Sequence, residues 1–94
     1  VVAPHNPVGP LATGVNIHFA AAISNFLVLE YSPHSETEMS MIEGALTPVD
    51  GFFEIPDSAG WGVDIVDDVI QAHPYRRAWH RPDRVNPDGS VAYI

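Results

Sequence analysis

Two side chains in the first thirty residues have the chemistry of an active site. His5 sits in the turn APHNPVGP, and Glu30 follows directly on the apolar run at residues 26–29. An imidazole is the side chain whose ordinary titration lies near neutral pH, which suits it to moving a proton. A carboxylic acid at the end of an apolar strand is costly unless it is paired, solvated or kept protonated, and burial there raises its pKa. Each has a plainer reading: His5 as a histidine hydrogen-bonded within its turn, Glu30 as half of a salt bridge. The remaining histidines are less informative. His18 falls inside a helical pattern, as a packing or interface residue, and His34, His73 and His80 lie in loops without ligand spacing. No HxH or HExxH pattern offers a zinc site, and no GxSxG elbow offers a nucleophilic serine.

Bringing His5 and Glu30 together requires three elements. Residues 1–3 and 26–29 are short apolar strands, and between them Leu11, Val15, Phe19, Ala22 and Ile23 recur at helical spacing. A strand, helix, strand unit with parallel strands has a right-handed crossover and brings both strand ends to one edge. Neighbouring strands lie about 5 Å apart, so the two side chains can meet across that edge. Pro4 and Pro7 push Ala3 and Asn6 towards extended backbone, and Pro10 suits the first turn of the helix. The positive end of that helix dipole lies near His5 and favours an anionic group there. The helix is expected to run to about Ile23, with Ser24 and Asn25 as the connection. The unbroken apolar run at 26–29 reads as a strand buried on both faces.

Further along, Ser35 and Glu38 form a capping-box pattern for a helix extending to about Glu43. From Thr47 the Pro, Gly and Asp content indicates a β-hairpin or extended arm. Asp64 is expected to cap a helix containing Ile65, Val66, Val69 and Ile70 that stops before Pro74. Asp88 and Gly89 mark a turn ahead of a strand-like end at residues 91–94. Glu36, Glu38, Glu43, Asp67 and Asp68 read as solvated faces, and Trp61 and Trp79 as core or interface anchors.

The formal charge is −8, with no Lys, and all four Arg residues lie after residue 75. An acidic chain of this kind lacks the cationic surface that nucleic acid requires. The absence of Cys excludes disulfides, thiolate catalysis and Cys zinc sites, and fits a reducing compartment. No apolar run approaches the roughly 20 residues of a membrane span. A hydrophobic content of 46% suits a folded chain. Parallel sheets are normally covered on both faces, so this α/β unit is expected to be a piece of a larger fold.

The segments APHNPVGPLATG, NFLVLEY, DGFFEIPDSAGWGVDI and WHRPDRVNPDGSVAYI, in this order and spacing, resemble the C-terminal part of the mandelate racemase branch of the enolase superfamily. The likeness is greatest to the galactonate-type sugar-acid dehydratases and covers nearly the whole chain. It implies the last two strands and intervening helix of a modified (β/α) TIM barrel, residues 1–47. Residues 48–94 would then be an arm packing on an α+β capping domain. His5 would be the strand-seven histidine that exchanges the proton α to the substrate carboxylate. Its orienting aspartate would lie on a preceding strand that is not in this sequence. Glu30 would be a strand-eight acid, able when protonated to donate to the carboxylate as it becomes an enediolate. Asn6 departs from the usual residue after the histidine and would touch substrate. Superfamily sites use a base together with Mg²⁺, whose ligands would lie on barrel strands outside this chain, leaving no metal ligand here. The expected reaction is loss of water from a sugar acid to give a 2-keto-3-deoxy acid, in a cytoplasmic homo-oligomer, with catalysis absent from the isolated piece. A racemase or epimerase of the same branch, or a non-catalytic assembly piece, are the alternatives.

Overall fold

The computed structural model describes residues 1–75 and 86–90 of the 94-residue chain. Its elements are α1 (Pro10–Ala22), α2 (Glu36–Ser40), β1 (Ile42–Glu43), β2 (Asp64–Ile65) and α3 (Asp67–Ala72). Helix α1 begins as its sequence implies. Gly9 is an extended N-cap with no side chain to offer, and Pro10, which has no N–H to leave unpaired, occupies the first turn. Pro10, Thr13, Gly14 and Ile17 form its buried stripe.

Residues 1–4 and 25–30 run parallel, joined at the Val2 and Phe26 bridge. Val2 N donates to Asn25 O at 2.8 Å, and Leu27 N to Val2 O at 2.8 Å. A regular parallel ladder would continue with a donor at residue 4, but Pro4 has none. The next bond is accordingly offset by one residue, from Glu30 N to Pro4 O at 3.4 Å. The expected parallel pairing is therefore present as a short, interrupted contact that delivers Glu30 beside the His5 turn. The expectation that residues 26–29 are buried on both faces is not met. Phe26, Leu27 and Val28 are exposed, because α1 and the segment at residues 48–55 leave an open groove beside them rather than covering them. Among the described residues Ile17 is the one buried large hydrophobic side chain.

The capping box at α2 forms as read. Glu38 N donates to Ser35 Oγ at 3.3 Å, and Ser35 N to a Glu38 carboxylate oxygen at 2.8 Å. The helix ends at Ser40 rather than near Glu43, since Ile42 and Glu43 pair antiparallel with Ile65 and Asp64. That pairing also corrects the role of Asp64. Extended backbone at 64–65 delays helix α3 to Asp67, and Val66 becomes its N-cap, tied to Met41 O through its N–H. Asp67 and Asp68 supply the negative charge that the first turn favours.

Val49 and Phe52 form a hairpin bridge around Asp50 and Gly51, whose φ values of 51° and 83° define the left-handed pair of a type I′ turn. Beyond it, Phe53 packs edge-on to Tyr31 at a centroid distance of 5.2 Å. The chain then returns to α1. A Cβ on Gly14 would lie 2.6 Å from a Val63 methyl, and His18 Nε2 lies 3.0 Å from Trp61 O with its ring edge-on to the indole. His18 is thus a packing residue, and Trp61, although half exposed, anchors this return. Asn86 and Ser90 close the expected turn around Asp88 and Gly89. The readings for residues 91–94, Trp79, His80 and the four arginines lie outside the described residues.

Candidate functional site

The interrupted pairing of 1–4 with 25–30 brings the two sequence-predicted residues into contact. His5 Nδ1 lies 2.5 Å from Glu30 Oε2, and Asn6 N donates to the same oxygen at 2.8 Å. Both side chains face solvent, His5 at 80% relative exposure and Glu30 at 44%. The Asn6 N–H is the leading reason that the Glu30 pKa lies below its ordinary value; desolvation opposes it, and the His5 hydrogen bond and charge each lower it by less. This reverses the expectation that burial would raise it. Glu30 is open to water, bonded by a backbone donor, and therefore held as a carboxylate.

An ionised carboxylate only accepts hydrogen bonds, so the hydrogen shared by His5 and Glu30 belongs on Nδ1. Whenever the ring is neutral, its lone pair then resides on Nε2, which makes no hydrogen bond among the described residues. The arrangement is that of a general base whose tautomer is fixed by a carboxylate. Glu30 in this state cannot donate, which sets it apart from the protonated donor anticipated above.

Asn6, expected on substrate, has a side chain with no exposed surface. Its Nδ2 donates to Thr13 Oγ1 and to Glu30 O, both at 3.1 Å, and its Oδ1 accepts from Asn16 Nδ2 at 3.0 Å. The difference has a simple cause. Pro4 and Pro7 steer the turn so that the Asn6 amide points into the junction with α1, while its peptide N–H faces Glu30. Thr13 and Asn16 went unremarked in the sequence. The available signal was their spacing of three, which puts two polar groups on one side of the mainly apolar helix PLATGVNIHFAAA.

Among the described residues no three His, Asp or Glu side chains gather in a way that could hold a metal ion. The pair at the turn presents one carboxylate already committed to two donors and an imidazole nitrogen, whereas Mg²⁺ demands an octahedral oxygen shell. These residues do not by themselves form a Mg²⁺ site. A concavity of about 580 Å³ lies between α1, residues 26–29 and the hairpin, and its lining is mainly apolar and free of carboxylates and imidazoles. No helix among the described residues is long and apolar enough to cross a membrane.

Comparison with known proteins agrees with this α/β arrangement. The chain is 34% identical over 82 residues to a D-mannonate dehydratase of Caulobacter vibrioides, covering 87% of this chain and 20% of that protein. It is 34% identical over 76 residues to a D-galactonate dehydratase family member of Halomonas elongata, covering 79% and 19% respectively. A family member from Chromohalobacter salexigens matches at 33% over 76 residues, again 79% of this chain and 19% of the relative. The chain therefore spans about a fifth of the length of these relatives. A family model described as enolase C-terminal domain-like matches residues 1–69, the stretch that holds the His5 turn, α1, Glu30 and the returning strand, and the chain belongs to that family.

Proposed function

We propose that this chain is the C-terminal portion of a sugar-acid dehydratase, in which His5 removes the proton α to the substrate carboxylate. The observation that carries the reading is the meeting of His5 and Glu30 at the ends of parallel-paired segments. Relatives named D-mannonate dehydratase and D-galactonate dehydratase family member support the substrate class. His5 Nε2 takes the proton, and the imidazolium so formed is stabilised by the Glu30 carboxylate on Nδ1. The same carboxylate fixes the ring, so that Nε2 rather than Nδ1 faces the open side. The elimination completes with departure of the β-hydroxyl as water, leaving an enol that ketonises to the 2-keto-3-deoxy acid. The acid that protonates the leaving hydroxyl lies outside this chain, as do the oxygen ligands of the Mg²⁺ that the superfamily resemblance implies.

In the whole protein we place residues 1–47 in the closing part of a (β/α) barrel and residues 48–94 against a capping domain. Barrel neighbours would cover Phe26, Leu27 and Val28 and the apolar groove beside them, which this chain leaves open. A homo-oligomer acting on a soluble sugar acid in the cytoplasm is consistent with the cysteine-free sequence. The test is incubation of the full-length protein with a panel of aldonic acids and detection of 2-keto acids. The His5→Asn variant is expected to lose both keto-acid formation and exchange of the α-hydrogen with deuterated solvent. Stereoisomer formation without keto acid would instead assign racemisation. Turnover retained in His5→Asn would remove His5 from the chemistry.

A further inference from the structure

We infer that Asn6 is a positioning residue for the His5 and Glu30 pair, holding the carboxylate by its peptide N–H while α1 clamps its enclosed amide through Thr13 and Asn16. A primary amide has two N–H donors and one carbonyl oxygen. In Asn6 both donors and the oxygen are satisfied by protein partners: Thr13 Oγ1, Glu30 O and Asn16 Nδ2. The residue has no exposed surface, so neither water nor substrate substitutes for these partners. Thr13, at 1% exposure, is equally enclosed.

The connectivity explains why an asparagine stands here. Asn6 binds Glu30 twice, at the side-chain oxygen through its own backbone and at the main-chain carbonyl through its side chain. Together these contacts fix both the position of the strand end and the direction of the carboxylate. Aspartate would lack the two donors and would set a second negative charge against Glu30. Glutamine is one methylene longer and would displace the turn. Alanine would strand the Thr13 hydroxyl and the Glu30 carbonyl without partners. Because Thr13 and Asn16 both lie on α1, the helix and not only the strand ends sets the geometry of the pair. His5 is the one titratable side chain within hydrogen-bonding distance of Glu30 among the described residues, and the face of α1 at this end contributes only the uncharged Thr13 and Asn16.

The test uses the full-length protein and three variants: Asn6→Ala, Thr13→Val and Thr13→Ser. Glu30 is titrated by carboxyl ¹³C NMR, and kcat, KM and their pH profiles are measured on the sugar acid that the wild type turns over. Thr13→Val keeps the shape of the side chain and removes the acceptor, so it remains informative should Asn6→Ala fail to fold. Both variants are expected to move the Glu30 titration upward and to lower kcat by about tenfold or more with little change in KM, the behaviour of a displaced reacting group. Thr13→Ser, which restores the hydroxyl, is expected to return both readouts towards wild type. Variants that melt earlier yet keep the wild-type Glu30 titration and kcat profile would overturn the inference and leave Asn6 a purely structural residue. The kinetic arm rests on the function proposed above, whereas the titration does not. A wild type inactive on every sugar acid would count against that function, and the Glu30 titration would still decide the role of Asn6.

Discussion

Replacing Gly14 by alanine sets two effects of similar size against each other, and the structure decides between them. Gly14 lies inside α1, where alanine is the better helix former by about 1 kcal/mol. The new methyl would stand 2.6 Å from Val63 Cγ2 and 3.0 Å from Cγ1, well inside the roughly 3.5–4.0 Å at which carbon atoms sit comfortably. Val63 is β-branched and stiff about χ1, so it cannot swing aside as a longer side chain would. Overpacking of this kind typically costs about 1–3 kcal/mol. The contact therefore prevails, and Gly14→Ala is expected to destabilise by about 1 kcal/mol net. The second variant, Val63→Ala, removes the obstructing methyls. In the double variant the clash is gone and the helix-propensity gain is expressed, so it should be more stable than the sum of the two single changes by about 1–2 kcal/mol. The assay is a double-mutant cycle in urea, followed by circular dichroism at 222 nm. Strict additivity, or a Gly14→Ala variant more stable than wild type, would refute the packing of the returning strand on α1. The cycle bears on the site as well, since a helix pushed outward at Gly14 carries the adjacent Thr13 away from Asn6.

Three further outcomes follow from the same geometry. The Glu30 pKa is lower in the folded chain than in the unfolded one, so its contribution to stability is present above the unfolded value and disappears as pH falls through the folded value; Glu30→Gln is expected to remove that acid-limb dependence, and an unchanged pH profile of the melting temperature would contradict it. Glu38 behaves with the same sign because the Ser35 N–H and hydroxyl hold its carboxylate, so Ser35→Ala is expected to raise the Glu38 titration seen by NMR and to weaken α2 by about 1 kcal/mol, the usual cost of losing a serine N-cap. Gly51 occupies φ 83° in the hairpin turn, where an L side chain is strained by about 1–2 kcal/mol, and Gly51→Ala is expected to lower the urea midpoint accordingly while leaving the Glu30 titration in place.

Much of this chain was legible as sequence because the signals were local. Pro10 after Gly9 marked the start of α1, Ser35 with Glu38 marked α2, and the Pro, Gly and Asp content from Thr47 marked a hairpin or extended arm, each through the conformational limits or hydrogen bonds of a few adjacent residues. The parallel pairing of residues 1–3 with 26–29 was also readable, since two apolar runs joined by a helix have few ways to pack. Non-local pairing lay beyond this reach. Asp64 has the residue type of an N-cap, but pairing with Glu43, twenty-one positions away, commits it to a strand and moves the cap to Val66.

The site divides in the same way. Residue type and position singled out His5 and Glu30, because a histidine in a stiff turn and an acid closing an apolar run are visible in the chain itself. Their chemistry depended on tertiary contacts. An acid after an apolar strand has its pKa raised if buried and lowered if bonded to a backbone donor, and only the fold supplied the Asn6 N–H that lowers that of Glu30. Likewise, nothing in the sequence around Asn6 distinguishes an amide facing substrate from one facing α1. Thr13 and Asn16 settle that question from seven and ten residues away, through hydrogen bonds that exist only once the helix has docked.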